Sequence, residues 1–288
     1  MDFKVWRAEG HRKSLDGMLK SVTDGHLYTF DVKIYRQGLR HVYCAVDPPA
    51  IPDSFVGVLG DCIHNLRSSL DHLACQLARL QGDDSDRAAF PVFKQRYCIG
   101  KNGTKKPCLD VNIRPDIRKV LNRIQPYNRA PIGRRLALLH DLDIRDKHRA
   151  MLVVAAGAIG TNKRYTWANY AEAIKISGDR VASVSRHPLE DGKPCMTVSY
   201  PAPQREVDPY LKVAVQVLFG EGGPARGRGV LGVVDDLVRL VKVDVIPTFM
   251  TFFGEPPTHT QSTFVDGDLV WLDSAIPRSF WRRHQPRP

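Results

Sequence analysis

The chain has 288 residues, of which 43% are hydrophobic and 25% charged, and its net charge is +11. This balance is typical of a soluble globular protein of one large domain and excludes a largely disordered chain. It contains no run of about 18 apolar residues, so no membrane span is expected, and the excess of cations favours an acidic partner such as a nucleic acid.

The start of the chain and its cysteines predict a cytoplasmic protein. The first residues, "MDFKVWRAEGHRKS", lack the apolar core of a signal peptide. The six cysteines are scattered and form no C-x-x-C pair. We therefore expect reduced and mostly buried thiols.

The first third of the chain predicts a helix, a hairpin and a long helix. Residues 3–22 have a loosely helical apolar pattern. Residues 27–36 and 40–47 are rich in β-branched and aromatic side chains and are separated by "QGL", which is typical of a β-hairpin. After "PPAIPDS", a helical pattern begins near Asp53 and continues to Gly82, a residue that commonly ends a helix.

The remainder predicts an α+β fold. Residues 83–113 resemble an irregular connection; helices are expected at 114–124, 131–149 and 225–246, and several strands between 151 and 220. Helices and strands do not alternate regularly, so we predict a long central helix packed with two or more further helices and a mostly antiparallel sheet. A single domain is expected over 1–253, followed by an extended or partly disordered basic tail at 254–288.

The helix predicted at 53–81, the first polar helix, has two contrasting faces. Its apolar arc contains Ile63, Leu66, Leu70, Leu73 and Leu77. At about 100° per residue, the opposite half contains Asp61, His64, Asn65, Ser68, Asp71 and His72, with Arg67 at its edge. A solvated face usually has long Lys, Glu and Gln chains, whereas these short polar residues disfavour helix formation. They indicate either a functional site or a bonded polar network.

The helix predicted at 131–149, the second polar helix, repeats this pattern. His140 shares a largely apolar face with Leu136, and Asp143 lies four residues before Lys147. Buried polar side chains require partners. These residues predict either a structural His–Asp–Lys network or a cleft formed with the first polar helix, to which His148 would also contribute.

The stretch "RSSLDH", with Arg67 and His72, resembles the Arg-x4–6-His motif of HEPN domains, which are helical bundles and in many cases ribonucleases. Asn65 is similar to the polar residue often found before the arginine. The resemblance implies a homodimer that joins two motifs and cleaves RNA without a metal, with His72 as general acid/base and Arg67 on the phosphate. HEPN domains are all-helical, whereas this chain predicts several strands.

The chain also resembles a bacterial family with the motifs "HNLRS-LDH" and "DKHR", a likeness that implies no function. The predicted catalytic set is Arg67, His72, Asn65, His64, Asp71 and His148. No organic cofactor is expected.

Two alternatives remain open. In the first, a helical-bundle hydrolase holds a divalent metal, and its predicted ligands are Asp61, His64, His72, His140 and Asp143. In the second, the polar helices form a network or an interface in a non-enzymatic interaction module. The match to G-x-G-x-x-G at 227–232 does not directly follow a strand, because "GEGGPAR" intervenes, and it is interpreted as a flexible loop that leads into a helix.

Two basic stretches contain aromatic residues. "FKQRYCIGKNGTKK" and the terminal "FWRRHQPRP" combine cations with Phe, Tyr or Trp, a composition suited to phosphate contacts and base stacking. The alternative interpretation is a charged loop and a solubilising tail.

Overall fold

The computed structural model describes residues 2–24, 29–48, 51–83, 88–99, 102–109, 113–148, 153–161, 164–166, 174–176, 180–184, 189–207, 211–254, 262–265 and 268–271. The helices are α1 (Asp2–Asp24), α2 (Asp53–Arg79), α3 (Pro115–Ile124), α4 (Pro131–His148), α5 (Val230–Arg239) and α6 (Ile246–Met250). The strands are β1 (Thr29–Tyr35), β2 (Arg40–Val46), β3 (Tyr97–Ile99), β4 (Lys105–Pro107), β5 (Val153–Thr161), β6 (Arg164–Thr166), β7 (Ile174–Ile176), β8 (Arg180–Val184), β9 (Pro194–Ser199), β10 (Leu211–Phe219), β11 (Ser262–Val265) and β12 (Asp268–Trp271).

The predicted α+β class is confirmed. The apolar arc of α2 is buried along its whole length, from Ile63 to Leu77. Burial of such side chains contributes about 1.5–3 kcal/mol each. The helix predicted at 225–246 consists of α5 followed by a π-helical segment at Leu240–Val245.

No helix in the described part of the chain is long and apolar enough to cross a membrane.

The chain divides into two compact units, and the single domain expected over 1–253 stays a prediction. Unit 1 contains Met1–Ser69 and Arg135–Val238, and unit 2 contains Leu70–Arg134 and Arg239–Pro288. Each unit thus combines segments that are distant in sequence. The tail predicted at 254–288 contributes a paired hairpin, β11–β12, and its other residues lie outside the described ones.

Unit 1 contains two antiparallel sheets. The larger has the order β1-β2-β9-β8-β7 and the smaller the order β10-β5-β6. The predicted hairpin is confirmed, because β1 pairs with β2 from Thr29↔Val46 to Tyr35↔Arg40. Its turn requires Gly38, where φ is +97° and a Cβ atom would lie 2.6 Å from the carbonyl oxygen of Gln204.

The interpretation of residues 227–232 as a loop agrees with the topology. β10 pairs antiparallel with β5, so the parallel strand–helix–strand unit of a dinucleotide site is not formed there. The chain instead folds back on itself, with Leu218 bridging Gly229, before α5 begins at Val230.

Unit 2 contains α3, α6 and a short hairpin of β3 and β4. The expectation that all cysteines are reduced is wrong for Cys98 and Cys108, which form a disulfide with their Cα atoms 5.0 Å apart. Pairing of Cys98 with Lys106 brings the two cysteines together across the hairpin, a proximity that sequence spacing alone does not reveal. Cys44, Cys62, Cys75 and Cys195 are free thiols.

Removal of this disulfide is expected to loosen the β3–β4 hairpin. Two three-residue strands are marginal by themselves, and closing a loop of this length contributes up to about 3 kcal/mol. Cys98→Ser/Cys108→Ser should therefore lower the midpoint of urea unfolding, and mass spectrometry of unreduced peptides should show the 98–108 link in the parent chain. Cys44→Ser is the control. A parent chain in which Cys98 and Cys108 are not linked would contradict the assignment of this disulfide.

Candidate functional site

The part of α2 that lies in unit 1 is covered by α1 and α4. On one side the Cys62 thiol donates a hydrogen bond to the carbonyl oxygen of Ala8, at 3.3 Å. On another side His64 contacts Asp143. Within the predicted polar half, Asn65 is 4% exposed, and Arg67 at its edge is 7% exposed.

The two polar helices meet at a histidine–aspartate pair. His64 Nδ1 lies 3.4 Å from Asp143 Oδ1, and Lys147 Nζ lies 2.6 Å from Asp143 Oδ2. The Asp143 side chain is only 4% exposed, whereas those of His64 and Lys147 are both 49% exposed. A buried carboxylate thus holds two cationic or cation-forming groups that reach solvent.

This geometry orients the imidazole. An ionised carboxylate can only accept hydrogen bonds, so the Nδ1 atom of His64 carries the proton. The other ring nitrogen, Nε2, then keeps its lone pair and can accept a proton from a bound molecule. The separation of 3.4 Å is long for a hydrogen bond, and such contacts commonly shorten when substrate binds. The pair has the elements of a general base.

Two more carboxylates, those of Asp61 and Asp146, lie in the same region. The pKa of Asp146 is raised by its burial and then by the negative charges of Asp143 and Asp61, while His64 and Lys147 oppose the shift. Asp143, Asp146 and Lys147 follow the i, i+3, i+4 spacing and share one face of α4. We name Asp61, His64, Asp143, Asp146 and Lys147 the α2–α4 polar cluster.

Gly60 leaves room for the carboxylate of Asp146 on the surface of α2 that faces α4. A Cβ atom on Gly60 would lie 2.5 Å from Asp146 Oδ1 and 2.9 Å from its Cγ. Any larger residue at position 60 would therefore displace the Asp146 carboxylate. Gly60 precedes His64 by one helical turn, so this contact sets the spacing at which the imidazole meets Asp143.

α4 is also fixed to the loop that follows β10. Arg145 Nη1 donates a hydrogen bond to the carbonyl oxygen of Gly222, at 2.7 Å. Asp143 and Asp146 are therefore carried by a helix with several anchors, a placement that favours a precise site.

Two of the predicted catalytic residues make structural hydrogen bonds. Asn65 Nδ2 donates to the carbonyl oxygen of Asp61, one turn earlier, at 2.7 Å. Asp71 Oδ1 accepts the backbone N–H of Phe90 at 2.9 Å and so anchors a loop of unit 2.

The other predicted residues are distributed along both helices. Arg67 lies in unit 1 and is buried, whereas His72 lies in unit 2 and is exposed. His140 is half-buried on α4. His148 ends α4, and its side chain lies outside the described residues.

The predicted metal ligands gather only in part. His64, Asp143 and Asp61 belong to the α2–α4 polar cluster, but within the described ranges no group of three or more His, Cys, Asp or Glu side chains has the arrangement of a metal site.

Two residues of this region, Asp146 and Gly60, were not predicted from the sequence. The i+3 spacing of Asp146 from Asp143 was the available signal, while the role of Gly60 depends on the helix that packs against it.

Comparison of the chain with protein-family models, with curated proteins and with solved structures finds no match. The function must therefore be argued from the residues themselves.

Alanine at position 60 is expected to disturb the cluster, and Gly57 offers a matched control on the same helix. Glycine to alanine within a helix normally gains about 0.5–1 kcal/mol. A Cβ atom at Gly57 meets no atom within 4 Å, so Gly57→Ala should show this gain in urea unfolding. Gly60→Ala should not, because the new methyl displaces Asp146. Equal gains at both positions would contradict the close packing.

Neutralising Asp146 is expected to stabilise the protein at neutral pH. Its folded pKa lies above the ordinary 3.8, so the folded state holds the proton to higher pH than the unfolded state. The protein therefore loses stability as the pH rises from the ordinary pKa of an aspartate to the raised pKa of Asp146 in the folded state. Asp146→Asn should raise the urea midpoint at pH 7 and have no such advantage below about pH 3.

The source of this effect can be tested with a second carboxylate. Asp61 contributes to the raised pKa of Asp146. The gain from Asp146→Asn should therefore be smaller in an Asp61→Asn background. A gain that is the same at every pH would contradict the electrostatic explanation.

Proposed function

We propose that this protein binds RNA and cleaves its phosphodiester bonds by acid–base chemistry without a metal, with His64 as the general base. The observation that supports the proposal is the half-exposed imidazole of His64 on the buried carboxylate of Asp143. A positioned histidine of this kind typically contributes about 10²–10⁴-fold to a proton-transfer step.

The proposed reaction uses the 2′-hydroxyl of the substrate. His64 Nε2 takes the proton of this hydroxyl, and the oxygen attacks the adjacent phosphorus atom. The bond from phosphorus to the 5′-oxygen breaks, which leaves a 2′,3′-cyclic phosphate and a free 5′-hydroxyl. The imidazolium returns its proton to the departing oxygen, and Asp143 stabilises the cationic ring between the two steps.

RNA is proposed as the substrate on two grounds. The net charge of +11 favours a polyanion, and the Arg67–His72 spacing resembles that of HEPN ribonucleases. The proposal differs from the HEPN resemblance in the residue that acts as general base, which is His64 instead of His72. Only 7% of Arg67 is exposed, which limits contact with a phosphate, while exposed His72 stays a candidate acid or base. The homodimer implied by HEPN domains stays part of the proposal.

Metal-dependent hydrolysis is the competing proposal. It is supported by the negative charges of Asp143 and Asp61, which add to the effect of burial in raising the pKa of Asp146 and which a divalent cation would offset. A third possibility is an interaction module in which the same residues only hold α2 against α4.

Cleavage of a fluorescently labelled single-stranded RNA by the full chain tests the proposal. Cleavage should persist in EDTA and yield a 2′,3′-cyclic phosphate. His64→Gln should lower the single-turnover rate by about 10²–10⁴-fold. Asp143→Asn should lower it at least about tenfold, because the imidazole loses its orienting carboxylate.

His72→Gln and His11→Gln are the matched variants. Loss of activity in His72→Gln with His64→Gln unaffected would contradict a general base at position 64 and favour the HEPN motif. Cleavage abolished by EDTA would favour the metal-dependent reaction. Absence of cleavage by the parent chain under all these conditions would overturn the proposal and leave the cluster as a structural network. If the parent chain cleaves RNA, His11→Gln on α1 should retain the parent rate.

A further inference from the structure

A second feature, in unit 2, has the character of a binding surface. The β3–β4 hairpin lies in a stretch without any aspartate or glutamate between Ala88 and Leu109. Its exposed cations are Lys94, Arg96, Lys105 and Lys106. A concentration of one sign of charge on a small projecting element creates a local field that attracts anions.

One face of the hairpin is both apolar and cationic. In a two-stranded antiparallel ribbon, residues i and i+2 and their register partners share a face. Tyr97 and Ile99 therefore lie on one face with Lys105, which pairs with Ile99. Tyr97 is 45% exposed and Ile99 80% exposed. The ammonium of Lys105 lies 4.8 Å from the centre of the Tyr97 ring. We call Tyr97, Ile99 and Lys105 the hairpin face.

The base of this hairpin is fixed to the core of unit 2. The Phe93 N–H donates to Gln125 Oε1 at 2.8 Å, and Gln125 Nε2 donates to the carbonyl oxygen of Pro91 at 2.9 Å. Gln125 is fully buried. The disulfide of Cys98 and Cys108 closes the hairpin itself. The two exposed apolar side chains Tyr97 and Ile99 therefore lie side by side on a restrained element, and contiguous exposed apolar side chains are characteristic of interaction sites.

We propose that the hairpin face binds single-stranded nucleic acid, with a base stacked on Tyr97 and Ile99 and a backbone phosphate held by Lys105. Lys106, which pairs with Cys98 on the opposite face, and Arg96 add to the local positive field. Aromatic side chains within a cationic surface are the usual means of binding single strands, because every base has a face that can stack. This surface lies apart from His64 in sequence and unit, and the proposal does not depend on catalysis there.

The chemistry of the surface favours a nucleic acid over other anionic partners. An acidic side chain or a lipid headgroup would pair with Lys105 but has no aromatic ring that can stack on the exposed Tyr97 ring. The aromatic group, the aliphatic group and the cation lie on one face of two short strands. This size suits one or two nucleotides of a longer strand.

Binding of the full chain to a labelled oligothymidylate of about 12 nucleotides tests the proposal, since this length lies in the usual range for single-strand sites. DNA lacks the 2′-hydroxyl, so the measurement is independent of the proposed cleavage. Fluorescence anisotropy should show that Tyr97→Ala weakens binding at least about fivefold, whereas Tyr97→Phe retains it.

The role of Lys105 is tested through salt dependence. Lys105→Gln should reduce the slope of log affinity against log salt by about 0.7, the value for one lost phosphate contact on a single strand. Lys119→Gln removes the same charge from an exposed position on α3 and should leave the slope unchanged. Circular dichroism verifies that each variant is folded.

Two outcomes would overturn the proposal. One is the absence of oligonucleotide binding by the folded parent, or binding whose affinity neither Tyr97→Ala nor Lys105→Gln lowers. The other is binding to phosphatidylserine vesicles, with the same dependence on these residues, in the absence of oligonucleotide binding. The second result would assign the face to an anionic membrane surface.

Discussion

The α2–α4 polar cluster depends on the space that Gly60 leaves for the side chain of Asp146. Because position 60 has no side chain, the carboxylate of Asp146 lies where a Cβ atom would be. One turn further, His64 meets Asp143, and one turn along α4 Lys147 binds the same carboxylate. A wider separation of the helices would leave Asp143 as a buried charge with a single partner, which is costly. The space at Gly60 and the polar contacts of Asp143 therefore support the same arrangement of the two helices.

The α2–α4 polar cluster combines groups that stabilise one another with groups that repel. Asp143 is stabilised by Lys147 and by the Nδ1–H of His64, whereas Asp146 is destabilised by Asp143 and Asp61. Proteins retain repulsion of this kind mainly where a site requires it, since neutral residues would pack more favourably. This is the physical reason for placing the proposed chemistry here rather than at the buried Arg67.

The hairpin face and the α2–α4 polar cluster differ in the kind of interaction that their side chains can make. The cluster consists of short polar side chains that two helices hold in place and that are suited to proton transfer. The hairpin face consists of exposed long side chains on a disulfide-closed ribbon and is suited to contact with an extended partner. Binding and chemistry are separated in this way in many proteins that act on nucleic acids, because phosphate contacts position a strand without requiring a reactive group.

The sequence by itself determined the α+β class, the β1–β2 hairpin, the extents of α2 and α4 and the buried arc from Ile63 to Leu77, because these follow from local periodicity and turn residues. The Asp143–Lys147 pair was also foreseeable, since the two residues are neighbours on one helix. Tertiary structure alone decided that α4 faces α2 at His64, that Asn65 and Arg67 are buried, that Asp71 anchors a loop and that Cys98 is bonded to Cys108. Each of these depends on which surface covers a residue, and a single sequence does not encode that in its local pattern.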